Sequence, residues 1–208
     1  MVNAIHANSW PGDGDVDTLL NFSGGIDSTY CVWEYLKQNP QSRLLVHHIN
    51  LVNREGRVSH EKKAVTGILR KLVKSYGFSN YEYLETGFDY GNIKHVIKDI
   101  EIVGFFTGLI LRGKKYQNVN KVILPSNKQD AESPGFEVRD KSRKDVAKLI
   151  ARRDIEYVYP IRQYTKEELV QRLPSDLLEL TWYCRIPKVD GKPCGKCTPC
   201  KHVSRSKT

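Results

Sequence analysis

The chain has 208 residues, 39% apolar and 27% charged, with a formal net charge of +9. That length and balance fit one globular domain with a full core, and no run reaches the roughly 18 apolar residues a membrane span needs, so no membrane partner is expected. Seven Lys/Arg against one Asp lie in residues 184–208 alone, and no basic stripe interleaved with aromatics is visible elsewhere, which favours small polyanionic ligands over specific RNA binding.

Residues 1–14 lack the apolar stretch of a secretory signal and read as a flexible leader, which makes the expected location cytoplasmic. An apolar strand follows at 16–22 and ends in Ser23-Gly24-Gly25. A helical pattern then starts at once with Ile26, Thr29, Tyr30, Trp33 and Leu36. RLLVHHINL at 43–51 is a second strand and 52–58 a charged loop. A helix over 59–76 is expected to start on Ser59 as N-cap. A third strand spans 81–85 and ends at Gly87. The apolar stretch 94–111 suits a buried helix, with Gly104 and Gly108 allowing close packing against the sheet. A short strand at 121–124 stops at Pro125. An amphipathic helix at 141–152 carries Val146, Leu149 and Ile150, and 157–161 is the last strand. Thr165 and Glu168 form a capping box for a helix over 165–173.

Strands and helices thus alternate five times. The expected fold class is α/β, a doubly wound and mostly parallel five-stranded sheet with helices on both faces. Ligands in such folds sit at the carboxyl ends of the strands. The loops 50–60 and 125–141 should therefore share a pocket with the turn at 23–28.

That turn carries chemistry. A helix start leaves N–H groups unpaired and holds partial positive charge, which suits a phosphate. Gly24 and Gly25 let the backbone come close to an anion. Ser23, Ser28 and Thr29 add hydroxyls, and Asp27 can orient the loop or hold Mg2+. The pattern is neither G-x-G-x-x-G nor a Walker loop. Ser23-Gly24-Gly25-Ile26-Asp27-Ser28 resembles the PP-loop of the ATP pyrophosphatase superfamily, whose members cleave ATP between its α and β phosphates.

Four of the five cysteines lie together as Cys184-x9-Cys194-x2-Cys197-x2-Cys200. Two C-x-x-C steps and a fourth thiolate match a closed tetrahedral zinc site, which leaves no open position for chemistry and is therefore structural. The same ligands suit an iron–sulfur cluster or sulfur transfer. The knuckle is expected to hold the tail and Trp182 against the pocket. Cys31 lies on the apolar face of the first helix as a packed thiol. His47 and His48 read as core histidines.

Three further stretches narrow the resemblance: Thr165-Lys166-Glu167-Glu168-Leu169-Val170, Glu179-Leu180-Thr181-Trp182-Tyr183-Cys184, and Cys194-Gly195-Lys196-Cys197-Thr198-Pro199-Cys200. Together with the turn, they resemble the 7-cyano-7-deazaguanine synthase (QueC) family. The resemblance implies a carbon–nitrogen ligase that uses ATP, Mg2+ and Zn2+. Such an enzyme adenylates the carboxylate of 7-carboxy-7-deazaguanine, amidates it with ammonia and dehydrates the amide to the nitrile, releasing AMP and pyrophosphate. It also implies ATP contacts from Ser23, Gly24, Gly25, Ile26, Asp27, Ser28 and Thr29. Asp27, Lys166 and His60 would be catalytic, with Lys166 near the α-phosphate; Asn127, Asp130 and Trp182 would contact substrate. A homodimer is compatible with this reading. The chain departs from the family where Ile102-Val103-Gly104-Phe105-Phe106 replaces a Pro-Gly-Arg-Asn segment and Arg57-Val58-Ser59-His60 replaces Gly-Gln-Arg-His. Those departures keep three alternatives in view: transfer of the acyl group to a protein or nucleic-acid amine, tRNA modification, and a non-catalytic nucleotide-binding subunit. The domain plan is a leader at 1–14, the ATP-using domain at 15–183, and a zinc knuckle with basic tail at 184–208.

Overall fold

The structure is a computed structural model that describes residues 16–53, 55–92 and 99–205. The leader, the start of the expected helix at 94–98 and the tail 206–208 lie outside the described residues.

Five strands, β1 (Val16–Asn21), β2 (Arg43–Val52), β3 (Tyr81–Asp89), β4 (Lys121–Ile123) and β5 (Glu156–Val158), pair in the order β3-β2-β1-β4-β5. Every pairing is parallel. The chain winds outward from β1 through β2 to β3, then crosses back to β4 on the other side. The switch in winding therefore lies between β1 and β4.

Strand alternation feeds two cores. Leu20, Phe22, Leu44, Val46 and Ile123 point to one face, where α1 (Ile26–Gln38) and α2 (Val58–Tyr76) cover them. Their chain neighbours Leu19, Leu45, Val122 and Leu124 point to the other, against α3 (Asp99–Arg112) and α5 (Phe136–Ala151). A residue period of two places successive side chains on opposite faces, so runs apolar at every position are what a sheet covered on both sides requires. The smaller helices are α4 (Lys128–Ala131), α6 (Lys166–Arg172), α7 (Ser175–Leu178) and α8 (Thr198–Arg205).

Several boundaries differ from those expected. Helix α2 starts at Val58, one residue early, and its N-cap is Arg57 without a side-chain cap, so Ser59 is an exposed first-turn residue. Strand β5 ends at Val158. Its last rung is the Leu124 N–H donating to the Val158 carbonyl at 2.9 Å, after which Pro160 has no N–H to give and turn bonds take over.

Helix α5 starts five residues earlier than expected and buries Phe136, Asp140, Arg143, Ala147 and Ala151, while Leu149 is 74% exposed. Its buried face meets Gly104 and Gly108 of α3. A Cβ at Gly104 would lie 2.5 Å from the Arg143 carbonyl oxygen, and one at Gly108 would lie 2.7 Å from the Ala147 oxygen. The glycines thus serve a helix–helix contact and not the sheet. Close approach of two backbones outweighed the apolar periodicity.

Candidate active site

Strand β1 delivers the chain to the phosphate-loop candidate at the switch point. The Phe22 N–H donates to the His47 carbonyl at 2.7 Å, which extends the ladder to the edge of the turn. Gly24 then takes φ +74, and a Cβ there would come within 3.1 Å of Ala64, Val65 and the Val65 nitrogen in α2. Only glycine meets both demands. Gly25 is the N-cap of α1 and offers no side-chain cap. By helix geometry, the amides just after it have no partner within the helix, so the turn presents N–H groups.

The hydroxyls divide. Ser23 is exposed; its Oγ accepts from the Gly25 N–H at 3.3 Å and lies 3.1 Å from the Ser28 Oγ. Ser28 and Thr29 are 2% and 0% exposed, and both hydroxyls donate back to the Gly25 carbonyl, at 3.2 and 2.7 Å. Ile26 is in the core. At positions 26, 28 and 29 the side chains face inward, so what these residues present to a ligand is backbone.

Asp27 gathers the groups expected from distant parts of the chain. Its carboxylate pairs with the Lys166 ammonium, and its Oδ1 accepts from the Asn127 amide at 3.2 Å. Asn127 and Asp130 close a capping box on α4, the Asn127 side chain accepting from the Asp130 N–H at 2.9 Å. Gln129 joins this turn to α6, since its Oε1 accepts from the Lys166 N–H at 2.8 Å and its amide donates to Glu167 at 2.7 Å. Neighbouring protein excludes water from the Asp130 carboxyl and Asp27 lies close, so its pKa is raised, although the residue as a whole is exposed.

Trp182 ties the cysteine cluster to the loop. Its N–H donates to the Gly24 carbonyl at 2.9 Å, and its indole N–H donates to the Cys184 carbonyl at 2.8 Å. His60 stacks on the indole with centroids 4.2 Å apart and planes 14° apart. A Cβ at Gly191 would lie 3.4 Å from His60 Cε1, so the imidazole is held between the indole and the knuckle loop. Trp182 and His60 thus occupy one face of each other.

The four Sγ atoms of Cys184, Cys194, Cys197 and Cys200 all lie within 4.8 Å of one another. Tetrahedral thiolate ligation at about 2.3 Å places sulfurs about 3.8 Å apart, and Cys194 and Cys200 are already 3.9 Å apart. The Lys196 and Cys197 amides donate to Cys194 Sγ at 3.4 and 3.3 Å, which lowers that thiol to about pH 6. Burial pushes Cys200 up to about 12. A metal ion would bind all four as thiolates.

Beside the loop, a cavity of about 220 Å3 opens between the ends of β1, β2 and β4. Phe22, Ile49, Leu51, Val103 and Leu124 give it apolar walls, and Ser23 joins it to the phosphate-loop candidate. Its charged lining is Arg57, Glu61, Asp99 and Arg143, none of which sequence reasoning had marked. Arg57 lies in the loop 50–60 expected at the pocket and opens the segment that departs from the family pattern, Glu61 falls in the helix expected over 59–76, and Arg143 is on a helix whose periodicity pointed elsewhere. His47 and His48 also line it, at 0% and 1% exposure. His47 bridges Asn21 Oδ1 at 2.9 Å and Thr86 Oγ1 at 2.8 Å, and burial holds its pKa down at about 3.

No family model matches the chain, and no curated protein matches it. Among solved structures, the U34-tRNA thiolase NcsA from Methanococcus maripaludis with its [4Fe-4S] cluster is similar, with a TM-score of 0.52 and 17% identity over 93% of this chain. The match spans 65% of that structure's chain. At this identity the likeness is one of fold. The protein has the five-stranded parallel α/β fold that this thiolase also has, with a four-cysteine cluster able to hold a metal near its C-terminus.

Proposed function

We propose that the protein is an ATP-dependent, AMP-forming carbon–nitrogen ligase acting on a 7-carboxy-7-deazaguanine-type acid with ammonia. One observation carries the reading: the phosphate-loop candidate, the Asp27–Lys166–Asn127 cluster and a small cavity all meet at the β1/β4 switch point. The specific acid and amine rest on the sequence resemblance.

The chemistry assigns work to each part. A carboxylate is a poor acyl donor, and attack of its oxygen on the α-phosphorus expels pyrophosphate and leaves an acyl-adenylate. An amine then adds to the acyl carbon and AMP departs, giving the amide. A second adenylation, on the amide oxygen, followed by loss of AMP and a proton, gives the nitrile. The loop amides stabilise charge on the phosphates, and Lys166, released from Asp27 when nucleotide enters, meets the α-phosphate. Asp27 would hold Mg2+, which would neutralise the departing pyrophosphate. Zinc in the knuckle is structural in this reading; the sulfur spacing suits one ion, whereas a four-iron cluster spreads its thiolates wider. Residues 15–183 then form the ATP-using domain, with 184–208 as knuckle and basic tail.

The test is incubation with ATP, 7-carboxy-7-deazaguanine and ammonium, with pyrophosphate release followed and the product weighed by mass spectrometry. The expected product is the nitrile. Adenylate without nitrile would redirect the reading to another amine acceptor, and no pyrophosphate release would end it.

A second reading, tRNA modification, draws on the thiolase fold and on a surface where Lys144 lies over Tyr157 and Tyr159 and Arg162 over Tyr159. Cations stacked on rings suit single-stranded RNA. Salt-dependent binding of tRNA, together with labile sulfide at the cysteines, would favour it over the first reading.

A further inference from the structure

The cavity beside the glycine turn is lined by charges of both signs. Within that lining, Arg57 is surrounded by three carboxylates. Its guanidinium pairs with Asp99, contacts Glu55 at 2.9 Å, and reaches Glu61 at 3.5 Å. The Tyr90 hydroxyl also donates to Asp99, and Arg185 approaches Glu55 at 3.9 Å. Glu61 thus holds the loosest of the three contacts to Arg57 and keeps acceptor capacity toward the cavity. The site has more carboxylates than it needs to neutralise one arginine.

A second acceptor lines the same cavity. His48 is 1% exposed, and its Nδ1 lies 2.8 Å from the Phe22 carbonyl. A carbonyl only accepts, so Nδ1 carries the proton and Nε2 is left as a bare lone pair. That Nε2 makes no hydrogen bond of regular geometry among the described residues, and Asn50 is its side-chain neighbour. Arg143 also lines the cavity; it is 9% exposed, pairs with Asp140, and leaves its Nε without a partner among the described residues. A buried donor without a partner is costly, so the Arg143 Nε calls for an acceptor on a ligand.

We propose that Glu61 determines specificity in this cavity by accepting hydrogen bonds from the N–H edge of a small, flat, amphoteric heterocycle, while Arg143 takes an oxygen of the same ligand. The apolar walls suit a flat ring, and about 220 Å3 falls below the pockets of about 300–1000 Å3 that hold drug-sized ligands. A mono- or bicyclic acid fits, and a nucleoside does not. On this view the carboxylate reading the N–H edge is Glu61 and not Asp130, whose side chain closes the α4 capping box outside the cavity lining. The proposal deepens the ligase reading and rests on it for the acid's identity.

Titration follows from the same surroundings. Burial raises the Glu61 carboxyl to about 7, Asp99 and Glu55 push it the same way, and Arg57 and Arg185 oppose them. The ionised form is the acceptor, so affinity for an N–H-bearing ligand should rise as pH passes through about 7.

The test compares ATP–pyrophosphate exchange for two flat acids, 7-carboxy-7-deazaguanine and indole-3-carboxylate, which lacks the aminopyrimidinone edge. In Glu61→Gln the preference for the first acid should fall about 10- to 100-fold, the worth of one or two charged hydrogen bonds, with the loss in KM. The KM dependence on pH near neutrality should flatten, and Glu61→Asp should restore part of the preference. An equal loss on both acids, or none, overturns the proposal. If the wild type exchanges with neither acid, the ligase reading falls. Calorimetric titration of 7-carboxy-7-deazaguanine into wild type and Glu61→Gln without ATP then decides. Binding weakened about 10- to 100-fold in the variant keeps the proposal; equal binding or none ends it.

Discussion

Asp27 makes two contacts that no local rule requires. It holds the Lys166 ammonium and accepts from Asn127, so the lysine's charge is neutralised inside the site. Lys166→Ala should lower pyrophosphate release about 10²- to 10³-fold, as loss of one charge-stabilising donor does elsewhere, with little change in Tm. Unchanged release would remove Lys166 from the chemistry. Glu61 gives a prediction of the opposite kind. Burial raises its pKa to about 7 in the fold against an ordinary 4.5, so the fold favours the neutral form. Stability tied to that proton is fully present below 4.5 and is lost as pH rises through about 7. Glu61→Gln should therefore gain about 1–3 kcal/mol over wild type at pH 8 and much less at pH 5, measured by urea unfolding. A gain independent of pH would show that Glu61 titrates normally.

Among the elements, the α3–α5 contact decides the most about the site, because Arg143 on α5 lines the cavity. Alanine at Gly104 or Gly108 would favour helix by about 1 kcal/mol. The new methyl groups would also sit 2.5 Å from the Arg143 oxygen and 2.6 Å from Ile150 Cβ. Contacts that short against another helix force the two apart, at about 1–3 kcal/mol. Packing and propensity are comparable, and the backbone contact tips the balance to net loss. Gly104→Ala should lower the denaturation midpoint and weaken binding of the acid; a rise in midpoint would show that the helices separate freely. The glycines, four apart, were visible in the sequence. Their partner was not, because a glycine pair states that something comes close without saying what.

At the level of the whole molecule, the cysteine cluster and the glycine turn are joined through one residue. Trp182 donates to the Gly24 carbonyl and to the Cys184 carbonyl, while Val203 of α8 is in the same core as Leu169 and Val170 of α6. Removing the metal with a chelator, or making Cys197→Ser, should lower stability by several kcal/mol and shift Trp182 emission. It should also weaken ATP binding, measured by titration with a non-hydrolysable analogue. Metal analysis should give about one zinc per chain without labile sulfide. Retained ATP affinity in the stripped protein would show that the knuckle stabilises without shaping the site.

The sequence by itself determined the alternation of strands and helices, the glycine turn, the Thr165 capping box and the four cysteines, because each is written in residues close along the chain. Period, caps and ligand spacing are local codes. Only the tertiary structure decided that Asp27, Asn127 and Lys166 meet. It alone set His60 against Trp182 and drew Arg57, Glu61, Asp99 and Arg143 around one cavity. Those groups come from separate loops and helices, and their chemistry depends on buried charge, which exists only once folding has removed the water between them.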